Sequence, residues 1–234
     1  MKQSKKILIA NRGVIAIRAL RAARELGYSV ASVYSTIDRD QKHLKLSDEA
    51  ICIGPPETKD SYLNEAAIIS AAELSGADAI YPGFGFLAEN ASFAEKCRES
   101  GFKFIGPDPE VIAIMGDKIK AKELAKSLNI PVVPGYEGEI STENEAIKIV
   151  EEIGYPVIIK ASAGGGGRGM RVVNSSDELW QSIQSAQNEA ELAFGDGKIF
   201  IEKYLKKPRH IEVQIFGNGK GEAVHLFTRD CSLQ

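Results

Sequence analysis

The chain has 234 residues, 44% of them hydrophobic, enough for one large core or two smaller ones. Its 29 Lys+Arg stand against 32 Asp+Glu, a net charge of -3 spread without long blocks, which argues against nucleic acid or an anionic membrane surface as partner. Three cysteines, Cys52, Cys97 and Cys231, lie far apart with no C-x-x-C pair, so a disulfide scaffold is excluded and a reducing cytoplasm fits best.

Met1-Lys2-Gln3-Ser4-Lys5-Lys6 leads into an apolar run too short for a signal segment or a membrane span, so the mature protein is expected to begin here. From residue 6 to 106, short apolar runs alternate with helical patterns, the mark of a parallel sheet with helices packed on it. Ile7-Leu8-Ile9-Ala10 reads as a strand. A helix follows Asn11-Arg12-Gly13 with Ile15, Ala19, Ala23 and Leu26 as its apolar stripe, closed by Gly27. Ser29 to Tyr34 is the next strand, and the charge-rich Asp38-Arg39-Asp40-Gln41-Lys42-His43 reads as a loop. Ala50 to Ile53 (strand), Asn64 to Ser75 (helix stopped by Gly76), Ala77 to Tyr81 (strand), Asn90 to Ser100 (helix) and Phe102 to Ile105 (strand) complete a Rossmann-like unit.

One helix is expected from about Asp108 to Asn129, ended by Pro131 and Pro134. Thr142-x-x-Glu145 and Ser175-x-x-Glu178 read as capping boxes ahead of two further helices. Strands are expected at 156–161, 170–173 and 198–205. Arg209 to Phe216 and Glu222 to Phe227 flank a glycine-rich link as a hairpin, and alternation puts His210, Glu212 and Gln214 on a polar face with Ile211, Val213 and Ile215 toward a core.

The run Val157-Ile158-Ile159-Lys160-Ala161-Ser162-Ala163-Gly164-Gly165-Gly166-Gly167-Arg168-Gly169-Met170 carries the chemistry. A lysine among apolar strand residues is costly unless its amine reaches solvent or an anion sits beside it. Consecutive glycines favour the anion, because they expose backbone N–H groups and can fold over a phosphate; the plain alternative is a flexible hairpin tip. Gly164, Gly166 and Gly169 formally satisfy G-x-G-x-x-G, but Met170-Arg171-Val172-Val173 continues as a strand where a dinucleotide fingerprint needs a helix. No Walker A sequence occurs. The strand–glycine loop–strand arrangement resembles the phosphate-covering hairpin of ATP-grasp enzymes.

Across nearly its whole length the chain resembles the biotin carboxylases that serve acetyl-CoA, pyruvate and propionyl-CoA carboxylases. The resemblance is carried by Ala10-Asn11-Arg12-Gly13-x-Ile15-Ala16-x-Arg18, Asp38-Arg39-Asp40, Ser61-Tyr62-Leu63-Asn64, Pro82-Gly83-x-Gly85-Phe86-Leu87-x-Glu89-Asn90, Phe104-Ile105-Gly106-Pro107, Met115-Gly116-Asp117-Lys118, the Lys160 run, Glu202-Lys203-Tyr204-Leu205, Pro208-Arg209-His210-Ile211-Glu212 and Arg229-Asp230-Cys231-Ser232-x-Gln234. It implies an α/β fold with a Rossmann-like N-terminal domain over residues 1–115 and an incomplete ATP-grasp domain over 116–234, including a lid at 133–204. It also implies ATP-dependent carboxylation of biotin by bicarbonate through carboxyphosphate, the first half-reaction of a biotin-dependent carboxylase.

By the same resemblance Lys118 and Lys160 contact ATP, and Gly164, Gly165, Gly166, Gly167 and Gly169 cover its phosphates. Glu202, Lys203, Tyr204 and Leu205 lie at the adenine end, where an edge strand can offer backbone groups, and His210 and Gln234 reach the nucleotide from the following strands. Mg2+ and a carrier-borne biotin are implied, with a biotin carboxyl carrier, a carboxyltransferase and a homodimer as partners. The family's acidic magnesium ligands, bicarbonate-binding arginine and general base lie beyond Gln234, so no catalytic or metal residue is expected among these residues and they are expected to be inactive alone. Val14 stands where glutamate is usual, Tyr81 for histidine, Phe84 for tyrosine near biotin, Ala88 for serine and Thr228 for glutamate. A noncatalytic nucleotide-binding remnant and another ATP-grasp ligase, such as carbamoyl-phosphate synthase, are the alternatives. A nicotinamide enzyme is disfavoured because Ala10-Asn11-Arg12-Gly13 lacks the glycine fingerprint.

Overall fold

The computed structural model describes residues 5–136, 138, 140–161 and 170–233, excepting the side chains of Lys118 and Phe194. The chain separates into two compact units at Asn129/Ile130.

The first unit is built on a parallel sheet. Its strands β1 (Lys6–Ile9), β2 (Ser29–Ser35), β3 (Glu49–Gly54), β4 (Ala79–Tyr81) and β5 (Lys103–Phe104) lie in the order β3-β2-β1-β4-β5. All four neighbouring pairs are parallel. Side chains alternate between faces, so Leu8, Ala31 and Val33 enter one core with Ile68, Ala72 and Phe93, while Ile9 and Val30 enter another with Ala16, Leu20 and Ala23. The first of these cores is served by α3 (Glu65–Ser75) and α4 (Ala91–Glu99), the second by α1 (Gly13–Glu25). Burial on both faces explains the continuous apolar runs seen in the sequence.

Asn64 and Asn90 cap α3 and α4, each accepting a bond from the backbone N–H three residues on, which satisfies donors that a helix leaves open. Gly76 closes α3 in the left-handed conformation, φ +63°.

Three sequence expectations for this unit change. The inward stripe of α1 is Ala16, Leu20 and Ala23, and Leu26, at the C-cap, is exposed; a helix starting at Gly13 turns the i, i+4, i+7 set from Ala16 toward the sheet. The charged stretch 38–43 is no simple loop. It forms a 3₁₀ turn and the start of α2 (Lys42–Leu46), with Asp38 and His43 buried. The single helix expected over 108–129 is two, α5 (Pro109–Gly116) and α6 (Lys118–Ser127). Asp117 between them is extended, and its carboxylate accepts from the N–H groups of Ile119 and Lys120 at 3.0 and 3.2 Å. A side-chain acceptor that starts a new helix competes with continuing the old one.

In the second unit β6 (Gly135–Tyr136), β7 (Val157–Ala161), β8 (Arg171–Val173) and β9 (Ile199–Lys203) form an antiparallel sheet of order β6-β9-β7-β8. Helices α7 (Glu143–Ile153) and α8 (Leu179–Phe194) contribute Ala146, Val150, Leu179, Ile183 and Ala186 to its core. Thr142 caps α7 by accepting from Glu145 N–H at 3.3 Å. Ser175 does not cap α8; a 3₁₀ turn over Ser176–Glu178 intervenes, and the Glu178 carboxylate accepts from Asn174 N–H instead.

Among the described residues the strands β10 (Ile211–Gly217) and β11 (Ala223–Asp230) pair only with each other, as an antiparallel hairpin. The expectation that Ile211, Val213 and Ile215 enter a core is not met: all three are exposed, as are Val224, Leu226 and Phe227. Alternation sorts side chains between faces, but it does not supply the layer that covers one. No helix is long and apolar enough to cross a membrane among the described residues.

Candidate nucleotide site

In the four-stranded sheet, Val157, Ile159, Ile199 and Ile201 point into the helix-backed core, and Ile158, Lys160, Phe200 and Glu202 lie half-buried on the opposite face. The register makes Lys160 oppose Phe200, and Ile158 oppose Glu202. Lys160 and Glu202 are therefore diagonal neighbours on one face, a spacing that long side chains bridge. They do: Lys160 Nζ donates to Glu202 Oε2 at 2.7 Å, with the two side chains 30% and 14% exposed. The ammonium also lies 5.7 Å from the centroid of the Phe200 ring, within cation–π range. The lysine that the sequence marked as needing an anion has found a carboxylate of its own sheet.

Lys203, one residue on, points the other way. Its ammonium donates to the carbonyl oxygens of Gly154 and Tyr155 at 2.9 and 2.7 Å, tying the end of α7 to β9 and satisfying carbonyls left open there. The backbone N–H groups of Lys203 and Tyr204 donate to Pro134 and Pro156. The edge-strand expectation is thus corrected for Glu202 and Lys203, since β9 has β6 on one side and β7 on the other. The two-residue β6, directly after Pro131 and Pro134, gives no periodic signal. Gly135 is required in it: a Cβ there would stand 2.8 Å from the Ile201 carbonyl oxygen. Leu205 is exposed beyond the strand.

His210 joins the two ends of the hairpin, its N–H donating to Ser232 Oγ at 3.0 Å and its carbonyl accepting from Cys231 N–H at 2.7 Å. Lys118 begins α6, and its side chain lies outside the described residues. Gly164, Gly165, Gly166, Gly167, Gly169 and Gln234 lie outside them too. Of the site residues expected from sequence, the structure brings Lys160 and Glu202 together. Among the described residues no group of three or more His, Cys, Asp or Glu side chains could hold a metal ion.

The motif residues of the first unit form a different kind of assembly. In the order β3-β2-β1-β4-β5 the chain reverses direction across the sheet between β1 and β4, and a dinucleotide would lie beyond the carboxyl ends of those strands. Here the buried Asn11 occupies that point. Its Nδ2 donates to the carbonyls of Pro82 at 2.7 Å and Phe84 at 3.1 Å, and its Oδ1 accepts from Arg12 N–H. Gly83 sits at φ +74°, where a Cβ would meet Ile15 Cγ2 at 2.7 Å, so the loop after β4 packs against the start of α1. Phe84, held by its backbone, leaves its ring exposed.

Next to it Arg12 Nη1 donates to both carboxylate oxygens of Asp38, at 3.1 and 3.0 Å, and Asp38 also accepts from Ser35 Oγ at 3.0 Å and Tyr62 O–H at 2.8 Å. Burial alone would raise the Asp38 pKa. The bonds from Tyr62, Ser35 and Arg12 outweigh it and hold the carboxyl below its ordinary value. Burial, and then the carboxylate itself, push the Tyr62 hydroxyl upward. These roles escaped the sequence reading because charged motif residues look like ligand contacts until their partners are known.

Residues 3–112 match the family described as biotin carboxylase, N-terminal domain, and residues 117–234 match the carbamoyl-phosphate synthase L chain, ATP binding domain. The chain is 55% identical over 230 residues to the biotin carboxylase of Pseudomonas aeruginosa, covering 98% of this chain and 51% of that protein. The crystal structure of a biotin carboxylase–β-γ-ATP complex from Campylobacter jejuni superposes with a TM-score of 0.83 at 52% identity, covering 97% of this chain and 51% of the other. The biotin carboxylase domain dimer of Hydrogenobacter thermophilus 2-oxoglutarate carboxylase, in complex with MgADP, ADP and bicarbonate, gives a TM-score of 0.82 at 48% identity, over 100% and 51% of the two chains. The chain spans about half the length of the curated relatives it matches.

Proposed function

Because the chain belongs to the biotin carboxylase family, we propose that it supplies the N-terminal domain and part of the ATP-binding domain of an enzyme that carboxylates biotin with ATP and bicarbonate. The observation that carries the nucleotide reading is Lys160, a half-buried ammonium held on the sheet face opposite the one sealed by two helices. Although Glu202 meets part of its charge, the ammonium has three donors and can give a charge-assisted bond to a phosphate in surroundings less polar than water, where such a bond is stronger.

In this reading Lys160, Lys118 and the glycines at 164–167 and 169 bind the phosphates, the backbone of Glu202, Lys203, Tyr204 and Leu205 lies at the adenine end, and His210 and Gln234 reach the nucleotide. The functional division falls at 115/116, a position supported by family matches that end at 112 and resume at 117; residues 133–204 form the lid. Biotin on a carrier, a carboxyltransferase, a second copy of the chain and Mg2+ belong to the proposal, supported by relatives whose names give biotin carboxylase, a dimer with MgADP and bicarbonate, and a subunit of pyruvate carboxylase. So does a cytoplasmic setting, supported by three free cysteines. The match of 3–112 to the biotin carboxylase N-terminal domain favours this family over carbamoyl-phosphate synthase.

The test is ATP binding by Lys160→Ala against Lys220→Ala, measured by calorimetry. Losing a charge-assisted bond to phosphate is expected to weaken binding by about 1.5 to 3 kcal/mol, and losing the exposed Lys220 by less than about 0.5 kcal/mol. Equal losses, or tight NAD binding without ATP binding, would overturn the reading.

A further inference from the structure

The sheet does not need the Lys160–Glu202 pair to hold its register. Strands β7 and β9 are paired along their whole length, from Val157 opposite Lys203 to Ala161 opposite Ile199, and Ile159 and Ile201 lock them from the sealed face. The pair instead fixes a side chain. A free lysine carries a long flexible stem and a compact charge that points wherever water allows; this one is held between the Phe200 ring and a carboxylate at 2.7 Å. An ammonium has three donors, so one bond to Glu202 leaves donors for a second anion.

We infer that Glu202 is a positioning residue for Lys160: its carboxylate holds the ammonium on the sheet face away from the helices in the geometry that receives the phosphates of a nucleotide. This goes beyond the placement of Glu202 at the adenine end, because it gives the side chain a role toward the phosphates, exerted through Lys160. It rests on the nucleotide reading above. Ordering the lysine before the ligand arrives removes that entropy cost from binding.

The experiment compares ADP, which has phosphates, with adenosine, which has none, by calorimetry on the 234-residue chain. Four proteins are measured: wild type, Glu202→Gln, Lys160→Ala and the double variant. Gln is isosteric with Glu, so the half-buried site keeps its packing. Glu202→Gln is expected to weaken ADP about fivefold and leave adenosine unchanged, and to cost nothing further in the Lys160→Ala background, as coupled residues behave. Equal losses for adenosine and ADP, or losses that add to those of Lys160→Ala, would mean that Glu202 meets the base and would overturn the inference. Tighter ADP binding by Glu202→Gln would overturn it as well, by making Glu202 a competitor for the lysine. Wild-type binding of ADP that Glu202→Gln leaves unaltered removes this inference alone; a wild-type chain that binds neither ligand removes the nucleotide reading together with it.

Discussion

The two units use polar residues in opposite ways. In the first, Asn11, Ser35 and Asp38 are buried, and the partners they hold are backbone carbonyls, Tyr62 and Arg12. In the second, Lys160 and Glu202 lie half-exposed on a sheet face, and Glu212 and Arg229 pair at 2.7 Å on an exposed hairpin. A parallel sheet covered on both sides has no free face, so polar groups at its strand ends must satisfy one another. An antiparallel sheet covered on one side keeps a face for something else. The contrast teaches that equally distinctive sequence motifs serve architecture in one place and, in the reading proposed above, recognition in the other.

The largest expected effect tests the architectural half. Asp38→Ala removes the acceptor shared by Arg12, Ser35 and Tyr62 and leaves buried donors unpaired, at about 3 kcal/mol of stability to the first unit. Denaturant unfolding checks it. A cost as small as that of an exposed pair would dissolve the contrast.

Acid sharpens the same point with a smaller effect. Burial lowers the His43 pKa from 6.5, and its Nδ1 has no hydrogen-bond partner among the described residues. The unfolded chain therefore takes up a proton near pH 6.5 that the folded chain resists, so stability falls as pH drops below that value. Asp38, depressed below 3.8, contributes stability that is present above its unfolded pKa and lost as pH falls through the folded one. The unfolding midpoint of the first unit is expected to drop by several degrees between neutral pH and pH 5. His43→Gln should flatten that part of the curve, and an unchanged slope would remove His43 from the account.

The smallest effect belongs to the hairpin. Arg229→Ala breaks an exposed pair with Glu212, and the unfolding midpoint is expected to stay within error, since water and salt screen such charges. A clear loss there would show that the second unit also relies on its surface polar pairs.

Much of this was legible in the residues. The parallel sheet, the helices beginning at Asn64 and Asn90, the Thr142 cap and the strands on either side of residues 162–169 followed from periodicity and side-chain chemistry within a few residues of each other. The break at Asp117 could have been read from Gly116-Asp117 inside an otherwise helical pattern. The two-residue β6 could not, because a strand that short has no period.

Local order, element type and the need of Lys160 for an anion were thus determined by the sequence itself, since backbone propensity, capping and desolvation act over a handful of neighbouring positions. Which anion it meets in this fold was decided by tertiary structure: Glu202 is 42 residues away, and only the register of β7 against β9 makes the two diagonal neighbours. Tertiary structure likewise placed Asn11 on the loop at Pro82 and Phe84, because a polar group's role depends on which distant partner the packing brings to it.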